Sequence, residues 1–306
     1  MIQNLPVSTS ITGTDQHKLL ISTKDGRLLQ VGSEGTLSVI LDMQNSVNDF
    51  EDRGLTAARV RPGTADVYLA YSGETSPEDS GQVATLHIAK YNLTSHVLTT
   101  ITTNAISEVF GSHSTADIVF FDGGAYASFG DGHDSNNLID GFTAVYGPTF
   151  NGKIINLDTL QPYAIGFRNP WRMAVIDGSI YTTDVGFGAY EEVDRVVAGG
   201  NYGWPCFEGP AGPEPSLSTE CNGKGPFILP FVSYGHDIGN AATGIVSYRG
   251  EILIADFGQN WIRDTSLTPR VQTTGGIVDM QVINNCLYAV SIDNNETSSS
   301  ILTTCN

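Results

Sequence analysis

The chain has 306 residues, and its 15 Lys and Arg against 33 Asp and Glu give a formal net charge of −18, which argues against a nucleic-acid partner. Charged residues make up 16% and hydrophobic residues 40%, with 34 glycines, so the composition is that of a folded globular chain and excludes wholesale disorder. No stretch approaches the roughly 18 consecutive apolar residues of a membrane span, and Met1 to Thr14 lacks a basic segment followed by an apolar core, so a soluble chain with no membrane span is expected.

Short runs rich in Val, Ile, Leu, Thr and Tyr recur from the start, each bounded by Gly, Asp, Asn or Pro: Lys18 to Ser22, Arg27 to Val31, Leu37 to Leu41, Asp66 to Tyr71 and Val83 to Ala89. No segment sustains a helical i, i+3, i+4, i+7 pattern, which predicts an all-β protein. Further along, an apolar strand, an Asp/Gly turn and an aromatic-bearing strand form a unit that repeats. Its copies are Asp117 to Ser128, Arg172 to Thr183 and Gly244 to Ala255, with a weaker one at Ile277 to Val290. Units near residues 18–41, 54–103, 113–158, 165–201, 230–268 and 270–305 predict one domain over 1–306, a six-bladed β-propeller with four-stranded antiparallel blades. A pair of β-sandwiches would not account for the repeated turn-plus-Tyr unit. A propeller gathers loops from every blade around one funnel, and function is expected there. Polar, Gly-bearing excursions at 76–81 and 134–149 are either walls of a site or solvated loops.

All four cysteines lie in the last third, at Cys206, Cys221, Cys286 and Cys305. Four cysteines allow three connectivities, and the local gaps lead us to expect Cys206 with Cys221 and Cys286 with Cys305. No CxxC spacing points to zinc. Paired cysteines favour a secreted, periplasmic or otherwise extracytoplasmic protein, and sequons at Asn92 and Asn295 are compatible with a secretory route.

The run Tyr163-Ala-Ile-Gly-Phe-Arg-Asn-Pro-Trp-Arg172, then Asp184-Val-Gly186, Tyr190-Glu-Glu-Val-Asp194 and Gly199-Gly-Asn-Tyr-Gly-Trp-Pro205, resembles the signature of the glucose/sorbosone dehydrogenase family. That family includes soluble PQQ-dependent sugar dehydrogenases and hedgehog-interacting protein. Further matches lie in register, at Asp52-Arg-Gly-Leu55, His113 with Ile118-Val-Phe120, Gly130-Asp-Gly132, Gly152-Lys-Ile154, Tyr234-Gly-His236 and Ala255-Asp-Phe257. The family fold is a six-bladed propeller, in agreement with the repeat reading.

The resemblance implies His113 as the general base toward a sugar hydroxyl, a role suited to an imidazole with its ordinary pKa near 6.5. It implies Arg168, Asn169 and Asp52 around PQQ, with Arg168 at the quinone. For calcium it implies Glu192 with the carbonyls of Glu208 and Pro210 at a structural ion, and the carbonyls of Gly186 and Phe187 at the ion that clamps PQQ. Against PQQ stands the scarcity of cations after Cys206, where only Lys224, Arg249, Arg263 and Arg270 occur, although PQQ carries three carboxylates. Arg53 or Arg249 reaching the funnel would help offset that scarcity. The leading expectation is a quinoprotein oxidoreductase that oxidises the anomeric hydroxyl of an aldose to a lactone. The second is a non-catalytic, calcium-stabilised propeller that binds a protein ligand or a glycan. A lactonase-like hydrolase is a third, and it requires a ring of acidic and amide side chains from several blades.

Overall fold

The repeated two-strand unit turns through two residues with positive φ in every copy: Asp122 and Gly123 (48° and 77°), Asp177 and Gly178 (47° and 68°), Arg249 and Gly250 (54° and 81°), and Asn284 and Asn285 (52° and 62°). Two consecutive left-handed residues make a type I′ turn, whose twist matches that of the flanking strands, and Asp, Asn and Gly adopt it at least cost. The flanking strands pair directly, with Phe121 opposite Gly124 and Ile176 opposite Ser179. The computed structural model describes residues 2–74, 84–106, 112–114, 116–132, 138–210, 212 and 214–305. The excursion at 76–81 and the first part of that at 134–149 lie outside the described residues.

Six sheets of antiparallel strands follow one another along the chain as blades of a propeller. Blade 1 comprises Ser8–Gly13, Leu19–Thr23, Arg27–Val31 and Leu37–Asp42, and blade 2 comprises Leu55–Val60, Asp66–Glu74, Ala84–Asn92 and Leu98–Ile106. Blade 3 runs through Ile118–Phe121, Gly124–Phe129, Lys153–Asn156 and Gln161–Ile165, with a short parallel strand, Gly200–Asn201, added at its edge. Blade 4 holds Pro170–Ile176, Ser179–Asp184, Tyr190–Val196 and Val232–Gly235, and blade 5 holds Ala242–Tyr248, Glu251–Asp256, Trp261–Asp264 and Pro269–Gln272. Blade 6 joins Gly276–Ile283, Cys286–Ile292 and Ser299–Thr304 to the N-terminal strand Ile2–Leu5.

Blade boundaries differ from the sequence reading at three points. Ile2–Leu5 closes the ring on blade 6, Ser8–Gly13 precedes the first expected unit, and Val232–Gly235 belongs to blade 4 rather than to the unit expected at 230–268. The all-β expectation also missed one helix, Leu138–Tyr146, inserted between the second and third strands of blade 3. Both disulfides form as expected, Cys206 with Cys221 and Cys286 with Cys305.

Burial falls from the axis outward, which explains why inner strands read as near-continuous apolar runs. Leu55–Val60 is buried at every position, whereas the outermost Pro269–Gln272 is exposed at every position. A hydrophobic cluster fills each blade junction. Between blades 1 and 6, for example, Ile11, Ile21 and Leu29 meet Val290, Ile292 and Ile301.

Four buried charges cross the axis. Arg59 of blade 2 makes ion pairs with Asp117 before blade 3 (2.9 Å) and Asp279 of blade 6 (2.8 Å), and Arg172 of blade 4 approaches Asp279 at 3.3 Å. Arg172 Nη2 also donates to the carbonyls of Thr9 and Thr56. Arg172 lines a cavity on one side of this network and Arg59 a cavity on the other, so the network is the floor of the funnel.

Candidate functional site

A cavity of about 330 Å³ opens at the end of the axis above Arg172, where loops of several blades converge. Its basic lining residues are Lys24, Arg53, Arg168 and Arg172, and its acidic ones are Glu51, Asp52 and Glu296. Arg53 thus reaches the funnel. Arg249 does not: it lies over the Tyr248 ring and donates to the carbonyl of Cys305 at an exposed edge. None of the described lining residues after Cys206 is basic, so the described cations come from blades 1 to 4 instead.

His113 stands at the cavity wall and is only 7% exposed. Its φ of 51° is left-handed, and its loop is drawn close to the next strand's end because Gly130 has no side chain there: a Cβ at Gly130 would lie 2.2 Å from the His113 carbonyl oxygen. That approach brings Asp131 against the imidazole, with Nδ1 2.7 Å from Asp131 Oδ1. The second oxygen of Asp131 accepts from Trp204 Nε1 at 2.8 Å. A carboxylate facing Nδ1 assigns the proton to that nitrogen and leaves Nε2 as the basic atom. Asp52, also at the cavity, accepts from the His113 backbone N–H at 3.1 Å.

Arg168, also lining the cavity, is 6% exposed, and its guanidinium packs against the rings of Phe187 (5.7 Å) and Trp204 (5.5 Å), which meet each other edge to face. One Nη donates to the Val185 carbonyl, while the buried Nε has no hydrogen-bond partner among the described residues. The turn that presents it is held by Asp184, which accepts from the backbone N–H groups of Arg168 (2.9 Å) and Asn169 (2.6 Å). Trp204 therefore touches both the His113–Asp131 pair and Arg168, and the Asp131 backbone N–H also donates to the Arg168 carbonyl at 2.7 Å.

Asp184 belongs to a second constellation below the wall. Glu192 and Asp194 sit two apart on one strand and share a face, and Asp184 is paired with Glu192 in register. Ligand atoms of all three lie within 4.8 Å of one another, and all three residues are buried. Burial pushes each carboxyl upward, Asp184 to about 7 and Glu192 to about 8, and each negative neighbour adds to the effect. Neither oxygen of Asp194 has a hydrogen-bond partner among the described residues, and no described Lys, Arg or His forms an ion pair with the three. Buried, unpartnered carboxylate oxygens of this kind are the donor set of a hard divalent cation. All three come from blade 4, not from several blades as the hydrolase reading requires.

The remaining residues expected at calcium lie on two loops, one after Ser179–Asp184 and one after Gly200–Asn201. Gly186 lines the cavity, and a Cβ there would fall 1.6 Å from the Tyr190 carbonyl oxygen, so only glycine lets the loop double back. Phe187 is 38% exposed beside Arg168. Glu208 Oε1 collects the backbone N–H groups of Phe187, Gly188, Ala189 and Tyr190, at 2.7 to 3.2 Å. Gly209 donates its N–H to Glu192, and Pro210 follows on an exposed turn. Sequence reasoning missed Asp131, Asp184, Asp194, Trp204 and Lys24 as site residues.

The glucose/sorbosone dehydrogenase family model matches residues 5–263. The HIPL1 protein of Arabidopsis thaliana is 41% identical over 108 residues, which is 30% of this chain and 15% of that protein. Quinoprotein glucose dehydrogenase B of Acinetobacter calcoaceticus is 34% identical over 68 residues, 22% of this chain and 13% of that one. These matches span a small part of either relative. Among solved structures, the PQQ-bound aldose sugar dehydrogenase of Streptomyces coelicolor aligns with a TM-score of 0.72 at 16% identity, covering 99% of this chain and 95% of that one. The apo soluble aldose sugar dehydrogenase of Escherichia coli aligns with a TM-score of 0.76 at 18% identity, covering 100% and 98%. At such identities the likeness establishes a common fold.

Proposed function

The chain belongs to the glucose/sorbosone dehydrogenase family, and from that premise we propose that its funnel binds PQQ and an aldose and oxidises the anomeric hydroxyl to a lactone. The observation that carries this reading is a His113–Asp131 pair and a buried guanidinium with an unpartnered Nε, set on one cavity and joined through Trp204. When bound, PQQ supplies a quinone that accepts the hydrogen and electron pair of the anomeric C–H bond. His113 Nε2 takes the hydroxyl proton as the C=O bond forms, and Asp131 stabilises the imidazolium that results. Arg168 and Asn169 hold the cofactor, with Lys24 and Arg53 supplying charge that the last blades do not. Asp52 belongs to the sugar side, because a carboxylate placed against a tricarboxylate is repelled.

In this reading the carbonyls of Gly186 and Phe187 would be donors to one calcium ion, and Asp184, Glu192 and Asp194 would hold another. Through its bonds to the Arg168–Asn169 turn, Asp184 ties that ion to the cavity wall. The two disulfides support an extracytoplasmic location.

Titration of PQQ into calcium-loaded protein, followed by quenching of the fluorescence of Trp171 and Trp204, tests the cofactor assignment. Saturable binding is expected for the parent chain, and Arg168→Ala is expected to weaken it about 100-fold or more, as loss of a buried charge partner does. No saturable binding at high micromolar PQQ would overturn the reading and put the binding propeller in its place.

Calcium at a hundredfold over its dissociation constant is expected to add about 2.7 kcal/mol to stability, read as a rise in Tm that EDTA reverses. Glu192→Gln or Asp194→Asn should remove that response. A Tm indifferent to EDTA would rule the ion out.

A further inference from the structure

The funnel is charged in opposite senses at its two depths. Its buried cations are Arg53, Arg172 and Arg168, exposed by 0%, 2% and 6%. At the mouth stand Glu51 and Glu296, both exposed, and the half-buried Asp52. None of these three carboxylates has an ion-pair partner among the described residues. Lys24 lines the same cavity, so three carboxylates face one exposed-side cation and the mouth is net negative. These carboxylates stand on the same cavity as His113 and the buried Arg168.

Asp52 adds position to charge. Its Oδ2 accepts from the backbone of His113, so a carboxylate is fixed beside the base that acts on the anomeric hydroxyl. The substituent nearest that hydroxyl on a pyranose is the one at C2. A positive group at C2 would meet Asp52 while C1 meets His113, with Glu51 and Glu296 adding to the field at the mouth.

We propose that the substrate class of this site is a cationic aldose, a 2-amino-2-deoxy sugar in its ammonium form, with Asp52, Glu51 and Glu296 as the groups that select it. This rests on the aldose-oxidation reading and leaves its chemistry unchanged. The anomeric C–H bond gives its hydrogen and electron pair to the quinone, the hydroxyl proton passes to His113, and an external acceptor reoxidises the cofactor.

The test compares glucosamine, glucose, N-acetylglucosamine and glucuronate at pH 6 and low ionic strength, on calcium- and PQQ-loaded protein, by calorimetric binding and by kcat/KM. Glucosamine is expected to exceed glucose about 10-fold and glucuronate to fall below it by a similar factor, consistent with a few partly screened charges. N-acetylglucosamine, which occupies C2 without charge, should show no such advantage. Added salt, or the double change Glu51→Gln with Glu296→Gln, should narrow the glucosamine-to-glucose ratio to about threefold or less, the residue that Asp52 retains.

A flat or reversed order with glucose oxidised would overturn this inference and leave the dehydrogenase reading standing. So would a ratio untouched by salt and by the double change. The expected order in binding with no sugar oxidised would support the charge selection and overturn the dehydrogenase reading. Absence of all sugar binding would overturn both.

Discussion

Replacing His113 with Ala is expected to lower turnover of the PQQ-loaded protein by about 100- to 10,000-fold while the cofactor stays bound. The separation of these effects follows from the geometry. The Arg168 guanidinium is held by the Val185 carbonyl and the aromatic rings and its turn by Asp184, none of which involves the imidazole, so the cofactor keeps its guanidinium partner when the imidazole is lost. What disappears is the acceptor for the hydroxyl proton. Asp131→Asn is expected to give a smaller fall in kcat with KM and PQQ affinity nearly unchanged, because Asp131 acts through the orientation and tautomer of the ring. A merely structural role for the pair would instead appear as lost PQQ binding or a lower Tm. Equal turnover in parent and His113→Ala, with PQQ bound in both, would remove His113 from the chemistry.

How much of this was legible in the sequence depended on whether the signal was local. The hairpins of blades 3 to 6 were readable because Asp-Gly, Arg-Gly and Asn-Asn turns carry their backbone geometry in two residues. Ile2–Leu5 was not, since its partner Ser299–Thr304 lies at the other end of the chain and no local pattern announces that pairing. Val232–Gly235 was placed in the wrong blade because the long disulfide-bearing excursion separates it from the strand it pairs with. The helix Leu138–Tyr146 spans too few turns for its period to stand out.

The site divides in the same way. His113, Arg168 and Glu192 were singled out because a motif surrounds them, whereas Asp131 lay in a matched Gly-Asp-Gly turn without a role of its own. Asp194 could have been found from alternation alone, since residues two apart on a strand share a face. Lys24 was out of reach, and Arg53 could be named only alongside Arg249, which does not reach the funnel, because the funnel is assembled across blades and no spacing along the chain encodes which loop reaches it.

The buried network on the axis should be the most sensitive point for stability. Asp279 faces two guanidinium groups, accepting from Arg59 through both oxygens and lying 3.3 Å from Arg172 Nε, and it also accepts the backbone N–H of Ile11. Burial alone would push its carboxyl upward, but Arg59 and Arg172 outweigh that effect and hold it below its ordinary value. A carboxyl depressed in the folded state contributes stability that is present above its unfolded-state pKa and is lost as pH falls through the folded one. Asp279→Asn removes the charge and leaves two buried guanidinium groups with Asp117 as their remaining acidic partner in the network. The expected cost is about 3–5 kcal/mol, read as a lower denaturation midpoint at pH 7, and the gap between parent and variant should narrow toward acid pH. A variant within 1 kcal/mol of the parent at pH 7, or a gap that does not depend on pH, would show that the network is not balanced as described. Because Arg172 is both a member of this network and the floor of the cavity, the same substitution is expected to weaken PQQ binding even under conditions where the fold persists.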